Sequence, residues 1–170
     1  GKSSLTTKKP KVHIGCPRWA KAELKGFYPR GTKDELAYYS TQFNAIEMNA
    51  FYYRIFPTTT VDKWYERSAP DFTFFPKVPQ LISQFRRLKN CENELNDYLV
   101  SISHFKEKLG TVFLQMNDNY GPKNFDDFAT SAKLARDAGA KVVEINLSCP
   151  NVASEGVLCY SPSSVLEICK

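Results

Sequence analysis

Short apolar runs rich in β-branched and aromatic residues alternate along this chain with longer stretches whose apolar residues recur every three or four positions. The short runs suit strands, the longer ones suit amphipathic helices, and their alternation is the signal of βαβ units on a parallel sheet. Five runs read as strands: Val12 to Cys16, Ala45 to Asn49, Phe72 to Val78, Thr111 to Met116 and Lys141 to Leu147. Each is too short for a helix and is bounded by Gly, Pro, Asn or Asp.

The intervening stretches read as helices. Lys33 to Gln42 follows Thr32, with Glu35 three residues further on, which is the spacing of a capping box. Thr60 to Ser68 carries Val61, Trp64 and Tyr65 on one face. Glu92 to Leu109 repeats Leu95, Leu99, Ile102, Phe105 and Leu109, and Gly110 is placed to cap its end. A fourth helix is expected from about Phe125 to Ala138, and a fifth from Ser161 to Lys170 with Pro162 in its first turn.

The fold class this pattern predicts is α/β, a partial (β/α) barrel of the TIM type with about five βα units. A closed (β/α)8 barrel takes about 250 residues, so a 170-residue chain is expected to leave two sheet edges open. A doubly wound open sheet is the competing architecture. The bulky Gly15-Cys16-Pro17-Arg18-Trp19 stands where its glycine-rich phosphate loop belongs, which favours the barrel.

Composition refines this picture only slightly. Hydrophobic residues make up 42% of the chain and charged ones 24%, as expected of a globular domain. No apolar run approaches the roughly 20 residues of a membrane span, and the start is polar and basic, so a cytoplasmic location is expected. Residues 1–10, led by Gly1 without an initiator Met, read as a disordered leader or tag remnant, and 11–170 as one domain. Much of the net charge of +5 comes from Lys2, Lys8, Lys9 and Lys11, which argues against a nucleic-acid partner. The five cysteines, Cys16, Cys91, Cys149, Cys159 and Cys169, form no CxxC pair, so neither a disulfide framework nor a zinc site is expected.

In a barrel the chemistry collects at the C-terminal ends of the strands. Glu47, Asn49, Lys77, Gln115, Asn146 and Cys149 fall near such ends. Glu47 and Asn49 share strand parity and therefore one face. Glu47 and Lys77 have two readings: an acid/base pair serving a small polar ligand, or a buried ion pair that only satisfies the barrel interior. Cys149 is either a reactive thiol or a small buried hydrophobe. Phe51, Tyr52, Tyr53 and Phe56 read as a lid or core patch, with a stacking platform as the alternative. Phe85-Arg86-Arg87-Leu88-Lys89 reads as a solvated loop, with phosphate contact as its alternative. His13 and His104 read as structural.

Specific strings add a resemblance. IGCPRW with KGFYP, FNAIEMNAFYYRIF with VDKWYE, FTFFPKVPQLIS and LGTVFLQM, running in order over residues 11 to about 125, resemble the YecE-like barrel proteins, domain of unknown function seventy-two. The resemblance implies a barrel with no assigned activity and no expected cofactor. Ser83-Gln84 stands where that family usually has Thr-His, Asn117-Asp118 where it has Pro-Pro, and its later Arg-His pair is absent after Phe128. No role is therefore carried over from that His.

Ala132 to Val152, AKLARDAGAKVVEINLSCPNV, instead resembles the active-site segment of FMN-dependent dihydroorotate dehydrogenases. That resemblance implies Asn146 on flavin and substrate, Cys149 as general base and Asn151 on substrate. Two resemblances meeting near residue 126 describe a chimera, whether engineered, a gene fusion or a misassembled reading frame. Three expectations follow: a YecE-like barrel with a small-molecule site, an FMN oxidoreductase fragment, or an inactive assembly unit whose edges a second copy or another partner covers.

Overall fold

The computed structural model describes residues 11–117 and Lys133. Three short strands, β1 (Gly15–Cys16), β2 (Ala45–Met48) and β3 (Thr73–Pro76), form one parallel sheet in the order β1-β2-β3. The expected strand at 111–116 is present as bridges rather than as a full ladder. Leu109 pairs with Phe74 and Phe113 with Lys77, both parallel. Gly110 N–H donates to the Phe74 carbonyl at 2.7 Å and Phe113 N–H to that of Pro76 at 2.9 Å.

These units are mixed α/β with sequential parallel neighbours. In a doubly wound sheet with the order 3-2-1-4, the fourth strand would lie beside the first. Here the fourth segment lies beside β3 instead. The leader, the fifth expected strand and, apart from Lys133, the last two expected helices lie outside the described residues.

The helices are α1 (Glu35–Gln42), α2 (Ala50–Tyr53), α3 (Thr58–Arg67) and α4 (Glu92–Ser103). Two of the expected starts and stops move. The N-cap of α1 is Asp34, whose carboxylate accepts from Ala37 N–H at 3.0 Å, while the Thr32 hydroxyl turns back to donate to Pro29 O. Asp34 also takes two hydrogen bonds from the Arg67 guanidinium at 2.7 Å, and that partner holds its carboxyl below the usual range. At the other end, α4 stops at Ser103, six residues before the expected Leu109. Lys106 then adopts a left-handed φ of 51°, which breaks the helical path and brings residues 106–108 round in a short 3-10 turn.

Gly110 consequently does not cap α4. A Cβ there would lie 2.6 Å from the Phe75 ring and 2.8 Å from the Thr73 methyl, so its bareness lets the fourth segment approach β3. The expected face of α4 is also corrected. Tyr98, Ser101 and Ile102 are buried, with Phe105 just beyond the helix, whereas Leu95 and Leu99 are exposed. The α4 residues that bury are those aimed at the ring cluster behind the sheet. Phe85, expected in a loop, ends a π-helical turn, Leu81–Phe85.

Strand parity divides the sheet cleanly. Ile46 pairs with Phe74 and Met48 with Pro76, and these residues are buried beneath the helices. Phe74 stacks on Phe105 at 4.2 Å, Phe72 meets Tyr39 edge-on, and Phe51 packs against Phe56, Tyr98 and Phe105. Such ring pairs contribute about 0.5–1.5 kcal/mol each beyond their buried area. The opposite parity, Ala45 with Thr73 and Glu47 with Phe75, looks away from this core.

Two polar ties hold the body together. Cys16 N–H donates to the Tyr39 hydroxyl at 2.5 Å, and that hydroxyl donates to the Ala45 carbonyl at 3.1 Å, joining α1 to both β1 and β2. Burial pushes the Tyr39 hydroxyl well above its usual range. Lys108, only 6% exposed, donates to Tyr65 O at 2.7 Å, Ser68 O at 2.9 Å and Ser68 Oγ at 2.8 Å. It places a cation on the carbonyls that end α3, where the helix dipole favours one.

Candidate functional site

The C-terminal end of β2 carries Glu47 and, two residues on, Asn49. Register puts Glu47 beside Phe75, and the next step up the ladder brings Lys77 N–H to Met48 O at 3.4 Å. Glu47 and Lys77 therefore share the face that looks away from the helices, whereas Asn49 lies past the end of β2 in helical backbone, φ −62° and ψ −21°, its N–H donating back to Glu47 O at 3.1 Å. Phe113 pairs with Lys77 and extends this face, tilted against Phe75 at 6.3 Å between ring centroids. Gln115 follows two residues later, and its backbone carbonyl accepts from Gln84 Nε2 at 2.7 Å. His13 meets Phe75 edge-on at 5.1 Å, near the beginning of the same face. Partial burial, followed by the charge of Lys11, lowers the His13 pKa, so the ring is favoured in its neutral form.

The expected contact between Glu47 and Lys77 is not formed. No ion pair joins them among the described residues. The Lys77 ammonium instead lies over the Tyr52 ring, 4.7 Å from its centroid. Sequence reasoning had Tyr52 within an aromatic patch but could not single it out. The patch divides: Phe51 and Phe56 are buried core, Tyr52 supports Lys77, and Tyr53 is 68% exposed.

Asn49 has the most unusual position. Its Oδ1 is buried without a hydrogen-bond partner, and it does not cap the α2 turn that it precedes. Leaving a buried amide oxygen unpaired costs about 1–3 kcal/mol, and such a group in a native fold calls for an explanation. The other orphan among the described residues is the Tyr98 hydroxyl, enclosed in the aromatic core behind the sheet and pushed upward in pKa by burial. Asn49, by contrast, stands at a strand end.

The remaining expectations fall into place more simply. His104 Nδ1 meets Asp62 Oδ1 at 2.9 Å, a tie between α4 and α3. Arg86, in the expected basic loop, pairs with Glu94 at 3.3 Å. Among the described residues no group of three His, Cys, Asp or Glu side chains can hold a metal, and no helix is long and apolar enough to cross a membrane. Cys16 and Cys91 are free thiols, with burial raising the Cys91 pKa. Asn146, Cys149 and Asn151 lie outside the described residues.

Comparison with known proteins places this geometry. The UPF0759 protein YecE of Escherichia coli K12 is 28% identical over 115 residues, 66% of this chain and 40% of its own length. A dihydroorotate dehydrogenase of Dictyostelium discoideum is 51% identical over 43 residues, 25% of this chain and 12% of that protein. A crystal structure of a DUF72 family protein from Enterococcus faecalis is similar with a TM-score of 0.60 at 21% identity, over 75% of this chain and 48% of that one. A second structure of that protein gives 0.57 at 23% identity, over 78% and 52%. The chain thus spans 40% of the curated YecE relative and about half of the solved ones. The family model described as "Protein of unknown function DUF72" matches residues 13–146, most of the chain, and the chain belongs to that family.

Proposed function

We propose that the sheet belongs to a partial (β/α) barrel of the TIM type whose strand ends bind a small polar molecule. Sequential strand order and a ring-filled core on one side of the sheet support the barrel. The single observation that carries the site is the buried, unpartnered Oδ1 of Asn49, directly after the end of β2, as Lys77 directly follows β3. A ligand hydroxyl or amine would supply the missing donor. In this reading Asn49 and Gln115 bind the ligand, and Glu47 and Lys77 serve as the acid/base groups.

Asn49→Leu tests the reading. It removes the orphan, so it is expected to raise the stability of the ligand-free chain while cancelling the stabilisation that a bound polar ligand gives to the unaltered chain. A variant less stable than the parent would mean that Asn49 already has its partner, and the reading would fall.

A second reading follows from the 51% identity over 43 residues to a dihydroorotate dehydrogenase. Under it, Asn146 and Asn151 hold FMN and a dihydropyrimidine-like substrate, and Cys149 is the base. Flavin absorbance of the purified protein, before and after adding FMN, tests this. A chain that stays colourless and ignores FMN sets the second reading aside.

A further inference from the structure

Charge is distributed unevenly about this body. The loops leaving the C-terminal ends of β1, β2 and β3, residues 17–34, 49–57 and 77–91, hold ten Lys and Arg against two carboxylates, Glu23 and Asp34. Both carboxylates are already matched, Glu23 by Arg18 and Asp34 by Arg67. The rest of residues 11–117 holds five Lys and Arg against nine Asp and Glu. The rim around the strand ends is therefore basic on an otherwise acidic body, an arrangement that raises the local concentration of anions.

Within the rim, Lys77 has no carboxylate partner among the described residues. The Tyr52 face occupies one side of its ammonium, and such a group has three N–H donors to direct. The ladder ends at Met48 and Pro76, so Asn49 and Lys77 each follow directly on its last pair, and Glu47, paired with Phe75, lies two residues deeper than Lys77, about 7 Å below at strand rise. The two acceptors, Glu47 and Asn49 Oδ1, ask for donors. The cation beside them, beneath a basic rim, asks for an anion.

We infer that the ligand of this face is a small hydroxylated or aminated anion, its phosphate or carboxylate against Lys77 and its hydroxyl or amine donating to Asn49 Oδ1. This rests on the strand-end reading of the preceding subsection and gives that site a ligand class. Glu47 orients such a molecule, because it repels the anionic end from the deep position and accepts from a donor there.

The test uses inorganic phosphate, ribose 5-phosphate, malate and ribose as probes, at fixed ionic strength, read by calorimetric titration of the full chain. Saturable binding of ribose 5-phosphate or malate is expected, with ribose weaker by tenfold or more, about the effect of one lost charge contact. Which of the two anions binds tells phosphate from carboxylate. Lys77→Gln is expected to abolish anion binding and Lys77→Arg to retain it, which separates lost charge from lost folding. Asn49→Leu is expected to weaken ribose 5-phosphate or malate but leave inorganic phosphate unchanged. Anion binding that ignores Lys77, or no anion binding at all, overturns the inference. If ribose binds through Asn49 while the anions do not, the strand-end site survives and only its ligand class is wrong. If no probe binds and Asn49→Leu also destabilises the chain, both fall.

Discussion

Replacing Lys108 by Met probes how a buried cation serves this fold. Lys108 is 6% exposed and its ammonium donates to two carbonyls, Tyr65 O and Ser68 O, and to Ser68 Oγ. Methionine keeps much of the aliphatic stem and leaves Ser68 O without its donor, while Tyr65 O keeps the Ser68 hydroxyl at 3.0 Å. The orphaned Ser68 carbonyl costs about 1–3 kcal/mol, and losing the cation from the helix C-terminus about 0.3–1 kcal/mol more. Relief from burying the charge offsets part of this, consistent with the pKa of Lys108 lying below its ordinary value through burial. The net expectation is a loss of about 1–3 kcal/mol. Urea denaturation followed by circular dichroism measures it as a lower midpoint with an unchanged slope. A stability within about 0.5 kcal/mol of the parent would refute the reasoning, because it would mean that water serves the Ser68 carbonyl as well as the ammonium does.

Other perturbations give different signatures. Tyr98→Phe removes a buried hydroxyl that has no partner, so the chain is expected to gain about 1 kcal/mol in the same denaturation assay; a loss would reveal a hidden partner. Gly110→Ala drives a methyl into the Phe75 ring and is expected to cost about 1–3 kcal/mol, whereas unchanged stability would show that the fourth segment can retreat freely. The Asp34 carboxyl titrates below its unfolded value because of Arg67, so its contribution is present above about pH 4 and is lost as pH falls through the lower, folded value. The pair is partly exposed, so the effect is under about 1 kcal/mol, and Arg67→Met is expected to flatten that part of the acid limb of stability against pH. An acid limb unaltered in Arg67→Met would contradict the assignment.

What could be read from sequence followed from strict periodicities. Strand parity holds through β2 and turns Ile46 and Met48 to the core, but it does not carry the Glu47 face on to Asn49, because β2 ends at Met48 and Asn49 has helical backbone. The positions of β2 and β3 were legible from their short apolar runs. Capping was less so: Thr32 and Asp34 are both suitable cap residues, and what favours Asp34 includes Arg67, 33 residues away in sequence. The α4 stripe was misassigned because two of its faces are apolar, and only the ring cluster around Phe51 and Phe105 selects the face with Tyr98 and Ile102. The π-helical turn at Leu81–Phe85 and the short α2 have no comparable periodic signal. The Asn49 orphan and the seat of Lys77 on Tyr52 are matters of three-dimensional distance, which no spacing rule supplies.

The central claim is that the ends of β2 and β3 form the ligand site of this DUF72 chain. Amide chemical-shift mapping by two-dimensional NMR, during titration with ribose 5-phosphate or malate, tests it most directly. The account predicts saturable shifts at Glu47, Asn49, Lys77 and Gln115, including the Asn49 side-chain amide, with the outer residues of α3 and α4 unmoved. Saturable shifts confined to those helices, with the strand ends silent, would contradict it.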